Sequence, residues 1–129
     1  MAQVITPSDV AAPFSRYAHG IVTEPGCRWL HVSGQVGIRP DGTMAMSGEA
    51  QLEQAFQNVF AVLRAAGMDK RHLVKLTVFL TRADEVRAYR TVRDRLLDGH
   101  IVASTLLVVA GLASPDFLVE LEAVAASPG

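Results

Sequence analysis

The chain has 129 residues, half of them hydrophobic, and 12 lysines and arginines stand against 13 aspartates and glutamates. That length suits one domain, residues 1–129, with a real core, and the formal charge of −1 supplies no field that would gather nucleic acid. One cysteine, Cys27, excludes an intrachain disulfide framework, and no run is apolar enough for a secretion signal or a membrane span, so a cytoplasmic chain without a membrane partner is expected.

The opening through Pro13 reads as an irregular lead-in. Tyr17 to Val22 suits a first strand, closed by Glu24-Pro25-Gly26. Trp29 to Val36 suits a second, in which Leu30, Val32 and Gly34 alternate with His31, Ser33 and Gln35. Arg39-Pro40-Asp41-Gly42 predicts a turn, because proline presets φ and glycine tolerates the left-handed region. Leu52, Phe56, Val59, Phe60 and Leu63 recur at helical spacing, with Ser47 placed to cap the start and Gly67 after the last turn. His72 to Leu80 is a β-branched-rich strand, and Thr81-Arg82-Ala83-Asp84 resembles a capping box opening a second helix that ends near Leu97. Ser104 to Ala110 and Leu118 to Ala125 supply the last two strands. The order ββαβαββ gives an α+β fold, an α/β sandwich whose mixed sheet carries both helices on one face. Strands apolar on both sides, as in Leu106-Leu107-Val108-Val109, expect cover on the other face from neighbouring subunits.

Neither a metal nor an organic cofactor is expected: His19, His31, His72 and His100 lack ligand spacing, and Cys27 stands alone. Cys27 reads as an ordinary loop thiol, the alternative being a pKa lowered by Arg28. Ser33-Gly34-Gln35-Val36-Gly37 lies within a strand and leads to a turn, so it is no phosphate loop. In the second helix, at about 100° per residue, Val86, Tyr89, Val92, Leu96 and Leu97 form an apolar arc. Arg93 falls inside the arc and Arg90 at its edge, whereas Arg87, Asp94 and Arg95 lie outside. A guanidinium on a buried stripe needs a carboxylate, a carbonyl or an anionic ligand. Two readings stay open: an intersubunit salt bridge or snorkelling side chain, and a clamp for a ligand carboxylate. Glu120 and Glu122 share one face of the last strand, where either could partner a buried arginine or act as a general acid or base.

Between about Ala12 and Ala126 a set of short pieces occurs in a particular order. They are Tyr17, Val32-Ser33-Gly34-Gln35, Asp41-Gly42, Gln54 and Asn58, Ala65-Ala66-Gly67, and the strand Leu73 to Leu80. Ala103-Ser104-Thr105, Val109-Ala110-Gly111-Leu112 and Val119-Glu120-Leu121-Glu122-Ala123 complete it. In that order the set resembles the YjgF/YER057c/UK114 (RidA) family. The resemblance implies a chorismate-mutase-like homotrimer with clefts between subunits and a small-molecule ligand. It further implies that an arginine in a Pro-Ala-Arg-Ser/Thr motif grips the carboxylate of a 2-imino or 2-amino-unsaturated acid. A glutamate then helps to position or activate water, and hydrolysis gives a 2-keto acid and ammonia without cofactor. Tyr17, the Ser33-Gly34 backbone and Glu120 match family cleft positions.

The departures are as informative. Val102-Ala103-Ser104-Thr105 puts Ser104 where the arginine belongs, Leu106 stands at a cysteine position, and Ala113 replaces the usual proline. Losing a charge-assisted pair to a substrate carboxylate costs about 2–5 kcal/mol. Arg90 aligns with a family asparagine that faces the cleft, so Arg90 or Arg93 would bring the guanidinium from the helix instead. Alternatively, Ser104 and Thr105 would donate hydrogen bonds to a neutral or differently shaped ligand; Ser104 has no evident base, which argues against a nucleophilic triad. Three functions remain: an imine or enamine hydrolase of altered substrate, acting through Glu120; a non-catalytic metabolite-binding or regulatory trimer; and an endoribonuclease or translation inhibitor. The near-neutral charge and the lack of a basic-aromatic surface pattern count against the last.

Overall fold

The computed structural model describes residues 2–129. Helix α1, Gly48–Ala65, forms where the period predicts it, and its Leu52, Phe56, Val59 and Leu63 are all completely buried. Ser47 caps it by accepting a hydrogen bond from Ala50 N at 3.1 Å, and Gly67 leaves the helix end at φ 73°. Removing that cap with Ser47→Ala is expected to lower stability by about 1 kcal/mol, read as an earlier urea midpoint at unchanged slope. Helix α2, Val86–Leu97, ends at Asp98 and Gly99, both left-handed.

The expected capping box before α2 does not form. The hydroxyl of Thr81 donates to the carbonyl of Leu118 at 3.1 Å, as does its backbone N–H, so Thr81 still belongs to the strand end. A short 3-10 turn, Ala83–Glu85, then leads into the helix, with Asp84 held by Arg82 at 2.7 Å.

The lead-in also differs from expectation. Ala2–Ile5 is a strand, β1, paired antiparallel with β2, Gly20–Thr23, in a separate two-stranded sheet. The strand expected from Tyr17 therefore pairs only from Gly20 onward. Ahead of it, Ala18 makes a single parallel bridge to Ala103, its N–H donating to Val102 O at 2.8 Å. That bridge leaves Tyr17 beside the chain's other main sheet.

The main sheet holds β3 (Arg28–Gln35), β4 (Leu73–Leu80), β5 (Ala103–Val108) and β6 (Val119–Ser127) in the order β3-β6-β4-β5. Only β4 and β5 run parallel, joined through α2 as a strand-helix-strand unit requires. Leu76, Val78 and Leu80 of β4 and Leu121, Ala123 and Ala125 of β6 are buried under the helices, together with Tyr89, Val92 and Leu97 of α2. The alternate residues, Lys75, Thr77, Phe79, Glu120 and Glu122, face the other side, where Trp29 and Leu107 are also exposed.

In β3 the expected alternation holds through Val32 and breaks at Gly34. Val32 pairs with Ala123 but Gln35 pairs with Leu121, so a bulge at Ser33 and Gly34 shifts the phase by one residue. Asn58 of α1 secures the chain beyond this bulge, donating to Val36 O and Ile38 O at 3.0 and 2.9 Å while accepting from Gln54.

Candidate functional site

A cavity of about 250 Å³ opens where the edge strand β5, helix α2 and the segment before Ala18 meet. Tyr89 and Arg93, four residues apart on α2, project from the same helix face into it. Tyr89 is fixed by stacking on Phe56, with ring centroids 6.3 Å apart. The Arg93 guanidinium lies over the Tyr89 ring at 5.4 Å and is almost wholly removed from solvent. Its Nε donates to Asp94 Oδ1 at 2.9 Å, and Nη1 reaches Ser15 Oγ at 3.4 Å.

Two polar atoms here, Arg93 Nη2 and Tyr89 Oη, are buried without a hydrogen-bond partner among the described residues. A stranded buried donor costs about 1–3 kcal/mol, and more when it is charged, so this pair beside a cavity calls for a partner of the kind that a water or a ligand supplies. Burial pushes the Tyr89 phenol above its usual range, against a smaller opposite pull from Ser104 and Arg93, neither of which meets Oη in hydrogen-bonding geometry. The phenol therefore stays protonated at neutral pH and keeps its donor.

Ser104 lines the same cavity. Its registration with the buried Leu76 puts it on the helix side of the sheet. Tyr17 and Leu106 complete the wall, and the exposed Arg90 and Phe14 stand at its rim. Tyr17, Arg90, Arg93 and Ser104, read from the sequence as ligand-binding residues, thus converge. Phe14, Ser15 and Tyr89 join them without having been singled out. Only Tyr89 carried a usable signal, a hydroxyl on an otherwise apolar arc.

The remaining candidates lie elsewhere. Glu120 registers with Phe79, three residues from Leu76, and so faces the opposite side of the sheet from Ser104. Its carboxylate fills the space left by the missing side chain of Gly34. Ser33 is exposed beside it in the bulge, and Thr105 accepts a hydrogen bond from Lys75 Nζ at 2.8 Å. Neither Glu120 nor Glu122 has an ion-pair partner among the described residues. His19, His72 and His100 each hydrogen-bond a backbone group of the fold. Within one chain, then, the unsatisfied guanidinium and the candidate general base occupy different faces of one sheet.

The family model described as Endoribonuclease L-PSP matches residues 8–127. A 2-iminobutanoate/2-iminopropanoate deaminase of Rattus norvegicus is 30% identical over 125 residues, covering 95% of this chain and 88% of the rat protein. Among solved structures, YyfB of the conserved Rid protein family from Yersinia pestis superposes with a TM-score of 0.86 at 27% identity, covering 96% of this chain and 97% of that one. The E. coli TdcF structure with bound serine superposes at 0.74 and 25% identity, covering 97% and 98% of the two chains.

Proposed function

The chain belongs to the Endoribonuclease L-PSP family, the group that includes the RidA and UK114 proteins, and we propose that it binds a small organic acid in the Arg93 cavity and hydrolyses an imine or enamine of that acid. The observation that carries this reading is the buried Arg93 guanidinium, whose Nη2 has no hydrogen-bond partner among the described residues and which lines the same cavity as Ser104. A carboxylate entering there accepts from Nη2 and from Tyr89 Oη together and relieves both stranded donors. The helix thus supplies the cation that the strand lacks. The deaminase activity of the rat relative and the serine held by TdcF support a small carboxylate as the ligand class.

Catalysis needs a second copy of the chain. Glu120 faces away from the cavity in its own subunit, so the carboxylate that activates water comes from a neighbour, in a homotrimer with clefts between subunits. The exposed Trp29 and Leu107 on the Glu120 side of the sheet are the surface such an assembly covers. In the proposed reaction Glu120 takes a proton from water as its oxygen attacks the imine carbon, and the C=N π pair moves to nitrogen. That proton passes to the nitrogen to give a carbinolamine, whose hydroxyl proton then moves to the nitrogen as the C=O bond forms and the C–N bond breaks, so that ammonia leaves a 2-keto acid. One water is consumed and no metal or organic cofactor takes part. The formal charge of −1 gives no support to RNA cleavage.

The test generates 2-iminopropanoate in place and follows ammonia release. The wild type is expected to accelerate its decay, and Glu120→Gln to reduce kcat by about 10²–10⁴-fold. Carboxylate binding without acceleration would instead identify a non-catalytic metabolite-binding protein, the reading favoured by the separation of Glu120 from the cavity. Absence of any carboxylate binding would remove both.

A further inference from the structure

The cavity has two cationic groups where a single carboxylate needs one. Arg90 precedes Arg93 by three residues on α2, so the two side chains rise from neighbouring positions of one helix face. They stand at different depths: Arg93 is buried at the floor, and Arg90 is exposed at the rim. No carboxylate lines the cavity between them. Asp94, the acid that touches Arg93, grips Nε, is not part of the cavity wall and leaves Nη2 free; Arg90 has no acidic partner among the described residues. Tyr17 and Leu106, an aromatic and an aliphatic side chain, line the same cavity.

From this arrangement we infer that the ligand is a small dianionic acid, a dicarboxylate of four or five carbons, held end to end. This deepens the proposed function and rests on Arg93 as the anchor for one carboxylate. That carboxylate sits at the floor on Arg93 Nη2 and Tyr89 Oη. The methylene segment crosses Tyr17 and Leu106, and the second carboxylate meets Arg90 at the mouth. A monocarboxylate would leave the rim guanidinium in water and two like charges facing one cavity. The volume of about 250 Å³ lies below the roughly 300–1,000 Å³ of sites for drug-sized ligands, which fits a short-chain acid. In the deaminase reading the substrate is then the 2-imino derivative of a dicarboxylic acid, hydrolysed to the matching 2-keto diacid and ammonia.

Calorimetric titration of the full chain with stable keto acids tests the assignment. Pyruvate and 2-oxobutanoate serve as monocarboxylate probes, oxaloacetate and 2-oxoglutarate as dicarboxylate probes. The dicarboxylates are expected to bind about tenfold more tightly, a preference that shrinks as salt rises. Arg90→Gln, at an exposed position, is expected to remove most of that preference, and Arg90→Lys to return part of it. Equal affinities for both classes, unchanged by Arg90→Gln, would overturn the dianion assignment while leaving the single-carboxylate reading intact. Were Arg90→Gln to change the oligomeric state in size-exclusion chromatography but not the selectivity, Arg90 would be a subunit contact and the assignment would fall. Failure of every probe to bind would remove the Arg93 anchor, and this inference with it.

Discussion

Arg93→Met is expected to leave the fold as stable as before or up to about 1 kcal/mol more stable, while cutting the affinity for a small carboxylate by about a hundredfold or more. The two effects have opposite signs because the side chain is poorly satisfied in the free protein. Its Nη1 contact with Ser15 is long at 3.4 Å, and Nη2 has no partner. Methionine fills a similar volume without stranding a donor, and Asp94, whose side chain is 36% exposed, returns to water at little cost. Ligand binding, by contrast, loses a charge-assisted contact in a water-excluded site. Urea unfolding with and without carboxylate separates the terms: the ligand-induced rise in stability should vanish while the ligand-free midpoint holds or increases. If Arg93→Met instead lost about 3 kcal/mol without ligand, the contacts to Asp94, Ser15 and Tyr89 would be holding the fold, and the guanidinium would be structural.

The largest loss of stability is expected at Gln51. This residue is 2% exposed and binds three backbone groups through one amide. Nε2 donates to Ala45 O at 3.1 Å and to Asp116 O at 3.0 Å, and Oε1 accepts from Leu118 N at 2.9 Å. The first turn of α1 is thereby tied to the loop ahead of it and to the loop entering β6. Gln51→Leu keeps most of the volume and strands all three groups. At about 1–3 kcal/mol for each unsatisfied group, partly relieved by relaxation, the net loss is about 3–5 kcal/mol. For a chain of this size that lowers Tm by roughly 10–20 °C. A loss below about 1 kcal/mol would mean that water replaces the amide. Space for water is scarce, because Gly37 packs against the Gln51 backbone, and a Cβ there would lie 2.6 Å from Gln51 Cα.

Helix α1 was legible because one period runs unbroken through Leu52, Phe56, Val59 and Leu63 and each of them is buried. The arc on α2 correctly placed Arg93 inside and Arg90 at the edge, since a helix face follows from residue spacing alone. Strand β1 was not legible: Ala2 to Ile5 are all exposed, so no alternation of burial is written into them. In β3 the alternation was readable to Val32 and misleading at Gly34, because a bulge changes phase through pairing with a strand far away in sequence. The same limit applied to the site. That Ser104 and Glu120 face opposite sides depends on the registers of β5 and β6 against β4, which no local pattern encodes. Ser15 lies in a segment without periodicity and gave no sign that it would reach Arg93.

The overlap between Gly34 and Glu120 also constrains how this chain can diverge. With the carboxylate where it stands, a Cβ at position 34 would occupy the same volume as the Glu120 side chain. Position 120 can therefore shorten alone, whereas a side chain at 34 requires a response at 120. A larger residue at 34 is accepted where 120 is short or where the flexible Glu120 side chain swings aside from its present place. The pair is coupled across two strands: loss of the acid would release the glycine, and a side chain at 34 would displace the carboxylate from where it now stands.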